Sequence, residues 1–379
     1  PGALVLVEAF RGVWPFGGIP IATLAQTQIG GPLAEAARLG GSLAVAALVG
    51  LTGVALAELA RRRRRSWRTG AVALVVVMTV AVTGALAPRG RAVGALDVAV
   101  VQVGGERGLR AIEGSSGPGL ATLVATTEAL PAGVDLVLWP EDGVRVEGDL
   151  RQAPQAEVVG DVARRLDTTI VSGVSESRGE VRHNLAAAWG PDGELLDRYR
   201  KHQIVPFGER IPFRSLIERF ADTSAVPRDV VPGEGPGLLA TPAGDLGVVI
   251  SFEVFFASRV RAALLEGAEV VLVPTNASSY PTTQMPALEL GAARLRAIET
   301  GRVVVQAAPT GFSAVVAPDG TVRRQSDLGA PAVLSAEIER RDGSTLYARL
   351  GDGPMVVAGA LALTLGWLLD RRRTVPAPS

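Results

Sequence analysis

Hydrophobic and polar positions alternate along the chain in two distinct textures. Residues 39–60 are apolar apart from Glu58, residues 71–87 carry no charge, and residues 355–369 form a third apolar run that ends at Asp370. A membrane-spanning helix needs roughly 20 apolar residues, with about 17 as the short limit. The first run meets that length as it stands, and the other two meet it with their flanking glycines and prolines. Three spanning helices are therefore predicted, over about 39–60, about 70–88 and within 346–379.

From residue 95 the texture changes to short β-branched runs broken by turn residues. The stretches 97–103, 135–139, 168–174, 186–189, 247–250, 270–274 and 303–307 read as buried strands. Between them, 156–166, 258–267 and 286–301 carry polar and apolar faces at helical spacing. Pro191-Asp192-Gly193 and Pro318-Asp319-Gly320 read as tight hairpin turns. Strands alternating with helices predict an α/β domain with covered sheets over 95–345. It lies between a membrane region at 1–94, whose residues 11–38 form an outer loop, and a last span with its tail at 346–379.

Basic residues orient this arrangement. Arg61 to Arg65 with Arg68 lie between the first two spans, and Arg371 to Arg373 follow the third. Lys and Arg next to spans mark the cytoplasmic side, so both clusters fall on one face and 88–353 on the other. A nucleic-acid patch is the competing reading of the arginine run, and apolar segments on both sides of it argue against that. Trp14 and Phe16 suit a headgroup layer at the outer interface. The chain opens Pro-Gly-Ala-Leu-Val with no signal-peptide pattern, and further sequence upstream, including more spans, is expected.

Composition narrows the chemistry. Lys+Arg and Asp+Glu each number 38, so no excess of positive charge is available for phosphate neutralisation, and no nucleic-acid partner is expected. The chain has no cysteine, which excludes disulfides, thiolate metal sites and a thiol nucleophile. Its two histidines, His183 and His202, cannot build a histidine-rich metal site. Nucleophiles and bases are left to Ser, Thr, Lys, Tyr, Asp and Glu.

Three places set a reactive side chain where a strand can hold it. Glu141 follows Trp139-Pro140, Lys201 lies in Tyr199-Arg200-Lys201-His202 ahead of Val205-Pro206-Phe207-Gly208-Glu209, and Ser251 ends the run 247–250 with Glu253 two residues on. A carboxylate, an ammonium and a hydroxyl at three strand ends can form one acid–base–nucleophile group. Each has an ordinary alternative: a solvated turn for Glu141, a surface charge for Lys201, a helix N-cap for Ser251. His202 beside Lys201 could act as a base, but its neighbour favours a neutral or structural role, and His183-Asn184 reads as a polar pair at the start of a strand. Residues alone lead to a membrane-anchored α/β domain with a hydrolytic site.

These blocks resemble the Glu, Lys and Cys blocks of the nitrilase superfamily, and in detail its membrane branch, the apolipoprotein N-acyltransferases. Trp14-Pro15-Phe16-Gly17-Gly18-Ile19-Pro20 with Gln26-Thr27-Gln28 and Gly31-Pro32-Leu33 resembles the outer loop of that family. The run from Arg294 to Arg302 followed by Ala308-Pro309-Thr310-Gly311 resembles its last core helix and strand. The similarity runs from about Phe10 to the C-terminus. The Ala-, Gly-, Arg- and Val-rich composition and the variant from Thr275 to Tyr280 resemble actinobacterial members.

The resemblance implies transmembrane helices plus an extracytoplasmic nitrilase-like α-β-β-α sandwich. It also implies an acyl chain passing from a phospholipid to the enzyme and then to the amino group of a diacylated apolipoprotein, with no cofactor or metal. Carried over by position, Glu141 is the general base, Lys201 steadies the oxyanion and Ser251 stands at the nucleophile position. Glu209 and Glu253 match supporting carboxylates, and Phe252 the aromatic beside the nucleophile. The family nucleophile is cysteine, and serine is harder to ionise. Ser251 therefore reads as a trapping substitution, as the mark of an impaired paralogue, or as a working serine. An impaired paralogue would bind lipid or lipoprotein, or anchor a polyprenol-phosphate-mannose synthase, a partner to which the family is sometimes linked in actinobacteria. A soluble-type amidase activity would leave the spans without a purpose. The loops 213–236 and 278–285 are expected either to cover the lipid site as lids or to be plain surface loops.

Overall fold

The computed structural model of the protein describes residues 1–61, 64–105, 119–278 and 284–374, without the side chains of 64, 65 and 372–374. Two compact units divide the chain, Pro1–Arg89 with Ser344–Ser379, and Gly90–Gly343. Arg62 and Arg63 of the first arginine cluster, residues 375–379 of the C-terminal tail and residues 279–283 of the expected second lid lie outside the described residues.

The first unit is helical. Its elements are α1 (Gly2–Arg11), α2 (Ala37–Ala60), α3 (Arg64–Leu86) and, after the second unit, α9 (Leu346–Leu350) and α10 (Gly353–Thr374). Among the described residues three helices are long and apolar enough to cross a membrane, Ala34–Ala60, Ser66–Leu86 and Gly353–Arg371. Val72, Val75, Met78, Leu361 and Trp367 on these helices are exposed, as a lipid-facing surface would be. The first span is not straight: Gly41 adopts φ +65°, and a Cβ there would stand 2.4 Å from the Tyr347 ring. Only glycine allows that close passage in a left-handed conformation. Arg38 is fully buried beside the kink, paired with Glu35 and donating to the Gly84 carbonyl at 3.1 Å. Helix α1 was not among the elements expected from the sequence.

The second unit is built on two sheets. One has the order β13-β1-β2-β4-β5-β6, with β3 pairing β4, and the other the order β12-β11-β10-β9-β8-β7. The strands of the first are β1 (Arg91–Gln102), β2 (Leu136–Leu138), β3 (Val144–Glu147), β4 (Thr169–Arg178), β5 (Val181–Trp189), β6 (Leu195–Arg200) and β13 (Ala332–Asp342). The second comprises β7 (Leu238–Thr241), β8 (Gly244–Val248), β9 (Val270–Pro274), β10 (Val304–Ala307), β11 (Ala314–Val316) and β12 (Val322–Gln325). Helices α4 (Leu120–Glu128), α5 (Pro154–Leu166), α6 (Arg214–Ile217), α7 (Ala257–Leu265) and α8 (Met285–Thr300) complete the unit.

Period-2 patterning explains the layers. Along β1, Val98 and Val100 face one way and Ala99 and Val101 the other; β2 repeats this with Leu136 and Leu138 against Val137. The first set joins Leu246, Val248, Val270, Leu272 and Val305 of the second sheet in an inter-sheet core. The second set packs with Leu123, Val159 and Val162 of α4 and α5. Strands that are apolar on both faces must be covered on both, which yields the α-β-β-α sandwich.

The central strands β1, β2 and β4 are parallel, as are β8, β9 and β10. Their carboxyl ends therefore collect at one edge, the usual place for a site in parallel sheets. Chain reversal at β5 brings β6 out at the same edge.

Candidate active site

Glu141 is positioned by a strand that is stopped on purpose. After β2, the buried Trp139 indole donates to Thr127 Oγ1 at 2.9 Å, and Pro140 ends the ladder. The Pro140 carbonyl instead accepts from the Gly173 amide of β4 at 3.1 Å. A Cβ on Gly173 would meet Glu141 Cα at 2.4 Å, so backbone must shift if that position gains a side chain. Gly173→Ala is expected to cut turnover by about 10²-fold, the scale of an ångström-level misplacement, while a fold check by circular dichroism stays native.

Lys201 follows β6, fully buried, with its amide donating to the Asn184 carbonyl at 2.8 Å. Its ammonium donates to Glu141 Oε1 at 3.1 Å and to Glu209 Oε1 at 2.9 Å. Asn184 Nδ2 donates to the same two oxygens, at 2.7 and 2.9 Å. Glu209 Oε2 also accepts from the Val205 amide at 2.9 Å, which closes the loop that carries it. Asn184 was expected only as half of a polar pair; it sits in β5 opposite the end of β6 and bridges both carboxylates. His183, by contrast, points to Glu176 at 3.0 Å and lies outside the cluster.

Ser251 opens a turn of 3₁₀ helix, Ser251–Phe255, just after β8. Its φ of +49° is a left-handed conformation in a residue with a side chain, the sort of local strain that surrounding structure must hold. Glu253 holds it: Oε2 accepts from the Ile250 amide at 2.8 Å, and Oε1 from the Tyr199 hydroxyl at 2.7 Å and the His202 and Gln203 amides at 2.8 and 3.0 Å. One buried carboxylate thus ties the Ser251 turn to the Lys201 segment. Phe252 is buried, edge-on to Phe256 at 5.1 Å between ring centroids. His202 Nδ1 lies 2.8 Å from the Gly233 carbonyl, a structural contact.

Among the described residues the Ser251 hydroxyl caps no backbone amide. It donates to Glu289 Oε1 at 3.4 Å, on α8. Glu289 escaped the sequence reading, and its one signal there was an acidic residue on the apolar face of a helix, among buried Pro286, Leu290 and Ala293. At the neighbouring strand end, Asn276 Nδ2 donates to Asp142 Oδ2 at 3.2 Å.

Burial sets the electrostatics. Desolvation pushes Glu141 up to about 7 against the pull of Lys201, and pushes Glu289 up to about 7 as well. Burial alone would lower Lys201, yet the Glu141 and Glu209 charges outweigh it and hold the ammonium above its ordinary value. Burial would raise Glu209, but Lys201 and the Val205 amide keep it below the usual carboxylate value. Glu209 therefore stays charged beside Lys201, while Glu141 and Glu289 take up protons near neutrality. Among the described residues no group of three or more His, Cys, Asp or Glu is arranged to hold a metal ion.

Known proteins bear on this geometry. The Carbon-nitrogen hydrolase family model matches residues 98–346, and the Apolipoprotein N-acyltransferase N-terminal domain matches residues 1–55. The apolipoprotein N-acyltransferase of Pseudomonas putida is 30% identical over 96% of this chain and 72% of that protein. The chain belongs to the apolipoprotein N-acyltransferase family. That of Mycolicibacterium smegmatis is 29% identical over 91% of this chain, which spans 64% of the length of that relative. Nit3 of Saccharomyces cerevisiae, a member of branch 10 of the nitrilase superfamily, superposes with a TM-score of 0.50 at 17% identity, covering 73% of this chain and 96% of that one. That likeness shows the fold, a nitrilase-type sandwich. Membership of the apolipoprotein N-acyltransferase family, with the three apolar helices, makes the chain a membrane protein.

Proposed function

We propose that the chain transfers a fatty acyl group from a phospholipid to the N-terminal amino group of a diacylglyceryl-cysteine apolipoprotein, through an acyl-enzyme on Ser251. What supports this reading is the buried Glu141–Lys201–Glu209 cluster, tied through Glu253 to the turn that carries Ser251, in a member of this family. In this reading Lys201 stabilises the developing oxyanion, Glu141 is the general base facing the substrates, and Glu209 and Asn184 hold both in place. Glu253 is a positioning residue for the Ser251 turn. The chain sits in the cell membrane as a multi-pass protein, with the sandwich on the extracytoplasmic side, as the arginine clusters indicate. Exposed Phe213, Leu216 and Phe220 on the segment beyond Glu209 suit a surface that meets lipid.

The test is transfer in proteoliposomes from labelled phospholipid to a diacylated lipopeptide, read by mass spectrometry of the peptide. Triacylated peptide from the native chain, and none from Ser251→Ala, is the expected result. Release of free fatty acid without peptide acylation would replace the reading with hydrolysis. Serine in place of the family cysteine favours a second reading, a binder without turnover; lipopeptide retention with no transfer would establish it. No feature of this chain supports a polyprenol-phosphate-mannose synthase as partner.

The pH profile follows from the raised carboxyls. With Glu141 and Glu289 brought up to about 7 by burial, their proton-accepting forms are lost as pH falls through that value. Turnover is expected to drop about tenfold per pH unit on the acid side and to level off above about pH 8. Stability runs the other way: carboxyls whose folded values lie above their unfolded ones lose stability as pH rises through 7.

A further inference from the structure

We propose that Glu289 is the catalytic base for Ser251, forming with it a serine–carboxylate dyad distinct from the Glu141–Lys201 pair. The inference rests on the acyl-enzyme reading above and assigns the proton that reading leaves unassigned.

Geometry supplies the argument. Glu289 Oε1 is the acceptor of the Ser251 hydroxyl at 3.4 Å, and the carboxyl is 4% exposed. Among the described residues it makes no ion pair, whereas Glu141 Oε1 takes hydrogen bonds from both Lys201 and Asn184. Burial raises both carboxyls to about 7, so position separates them: Glu289 holds the Ser251 hydroxyl, while Glu141 Oε1 is occupied by the Lys201 and Asn184 donors. A base at the hydroxyl is what a serine needs, since its hydroxyl must lose a proton during attack while a thiol ionises with a pKa of about 8.5 unaided. The raised value of Glu289, about 7, agrees with this role. Helix α8 presents the carboxyl rigidly, and its flanking residues Pro286 and Leu290 are buried.

As Ser251 Oγ bonds to the acyl carbonyl carbon, its proton passes to Glu289 Oε1 and the carbonyl π electrons move onto the oxygen near Lys201. When the tetrahedral adduct collapses, the carbon–oxygen bond to the glyceryl group breaks and the leaving glyceryl oxygen takes the proton from Glu289. The products are the Ser251 ester and a lysophospholipid, and Glu141 is left to accept the amine proton in the second half.

A dodecyl fluorophosphonate tests the dyad without acyl chemistry, because Ser251 displaces fluoride from phosphorus and needs the same base. The full chain in detergent and its Glu289→Gln form are labelled from pH 6 to 9, and adducts are read by intact mass, with Ser251→Ala as the site control. The expected result is a loss of about 10²-fold or more in Glu289→Gln at pH 8, together with loss of the acid limb near pH 7 seen in the native chain. Thermal unfolding of the variant at or above the native midpoint shows that it folds. No labelling of native Ser251, a loss under threefold, or an unchanged acid limb would overturn the dyad. Labelling with the expected limb but no lipopeptide acylation would leave the dyad standing and remove the acyltransferase reading.

Discussion

Lys201→Ala is expected to abolish acyl transfer, by about 10³-fold or more, and to destabilise the sandwich by about 3–5 kcal/mol. Both effects come from one position. The ammonium is the common hydrogen-bond donor to Glu141 and Glu209, all three groups being buried. Without it two carboxyls face each other with only Asn184 between them, and they are driven to share a proton. The oxyanion loses its cation and the base loses its charge together. Lys201→Arg does not rescue, since a planar fork cannot fill the cavity of a compact ammonium. Transfer kinetics and denaturant unfolding in the same detergent check the two parts; full activity in Lys201→Ala would remove the cation from the mechanism.

Ser251→Ala is expected to lower transfer by at least about 10³-fold while leaving lipopeptide binding within about threefold. Among the described residues the hydroxyl makes one hydrogen bond, to Glu289, so its removal costs the fold little. Alanine in the left-handed turn is no more strained than serine, and Glu253 still clamps the Ile250 amide. An effect on the rate of the chemical step without one on binding is the signature of a nucleophile. Equal losses in rate and affinity would mark Ser251 as a shaping residue only. Glu289 also changes what Ser251→Cys should do: a buried carboxylate beside a thiol disfavours the thiolate, so the gain expected from sulfur alone shrinks.

The sequence made some elements legible and hid others for physical reasons. Central strands read well because both their faces are buried, so 135–139, 168–174 and 270–274 stand out as apolar runs around the observed β2, β4 and β9. Strand β3, VRVE, alternates with charge because one face meets solvent, and β6 and β12, LLDRYR and VRRQ, are mostly polar with few buried positions, and none of the three was expected. The long strand β13 was missed likewise, its Glu and Arg residues alternating with packed ones. Both hairpin turns were visible from Pro-Asp-Gly and join β5 to β6 and β11 to β12. Glu141 was readable because it follows a predicted strand, and Lys201 and Glu209 through the motif blocks that resemble the family's, and the structure joins the three in one hydrogen-bonded cluster. Asn184 and Glu289 were not, because a polar residue inside an element shows no sign of which partner awaits it across the sheet edge.

Intact mass spectrometry of the purified chain after incubation with phospholipid, with peptide mapping of any adduct, tests the central claim most directly. A single fatty-acyl increment on Ser251, absent in Ser251→Ala and removed on adding diacylated lipopeptide, is the predicted result. No adduct on Ser251, with transfer to the lipopeptide still proceeding, would contradict it.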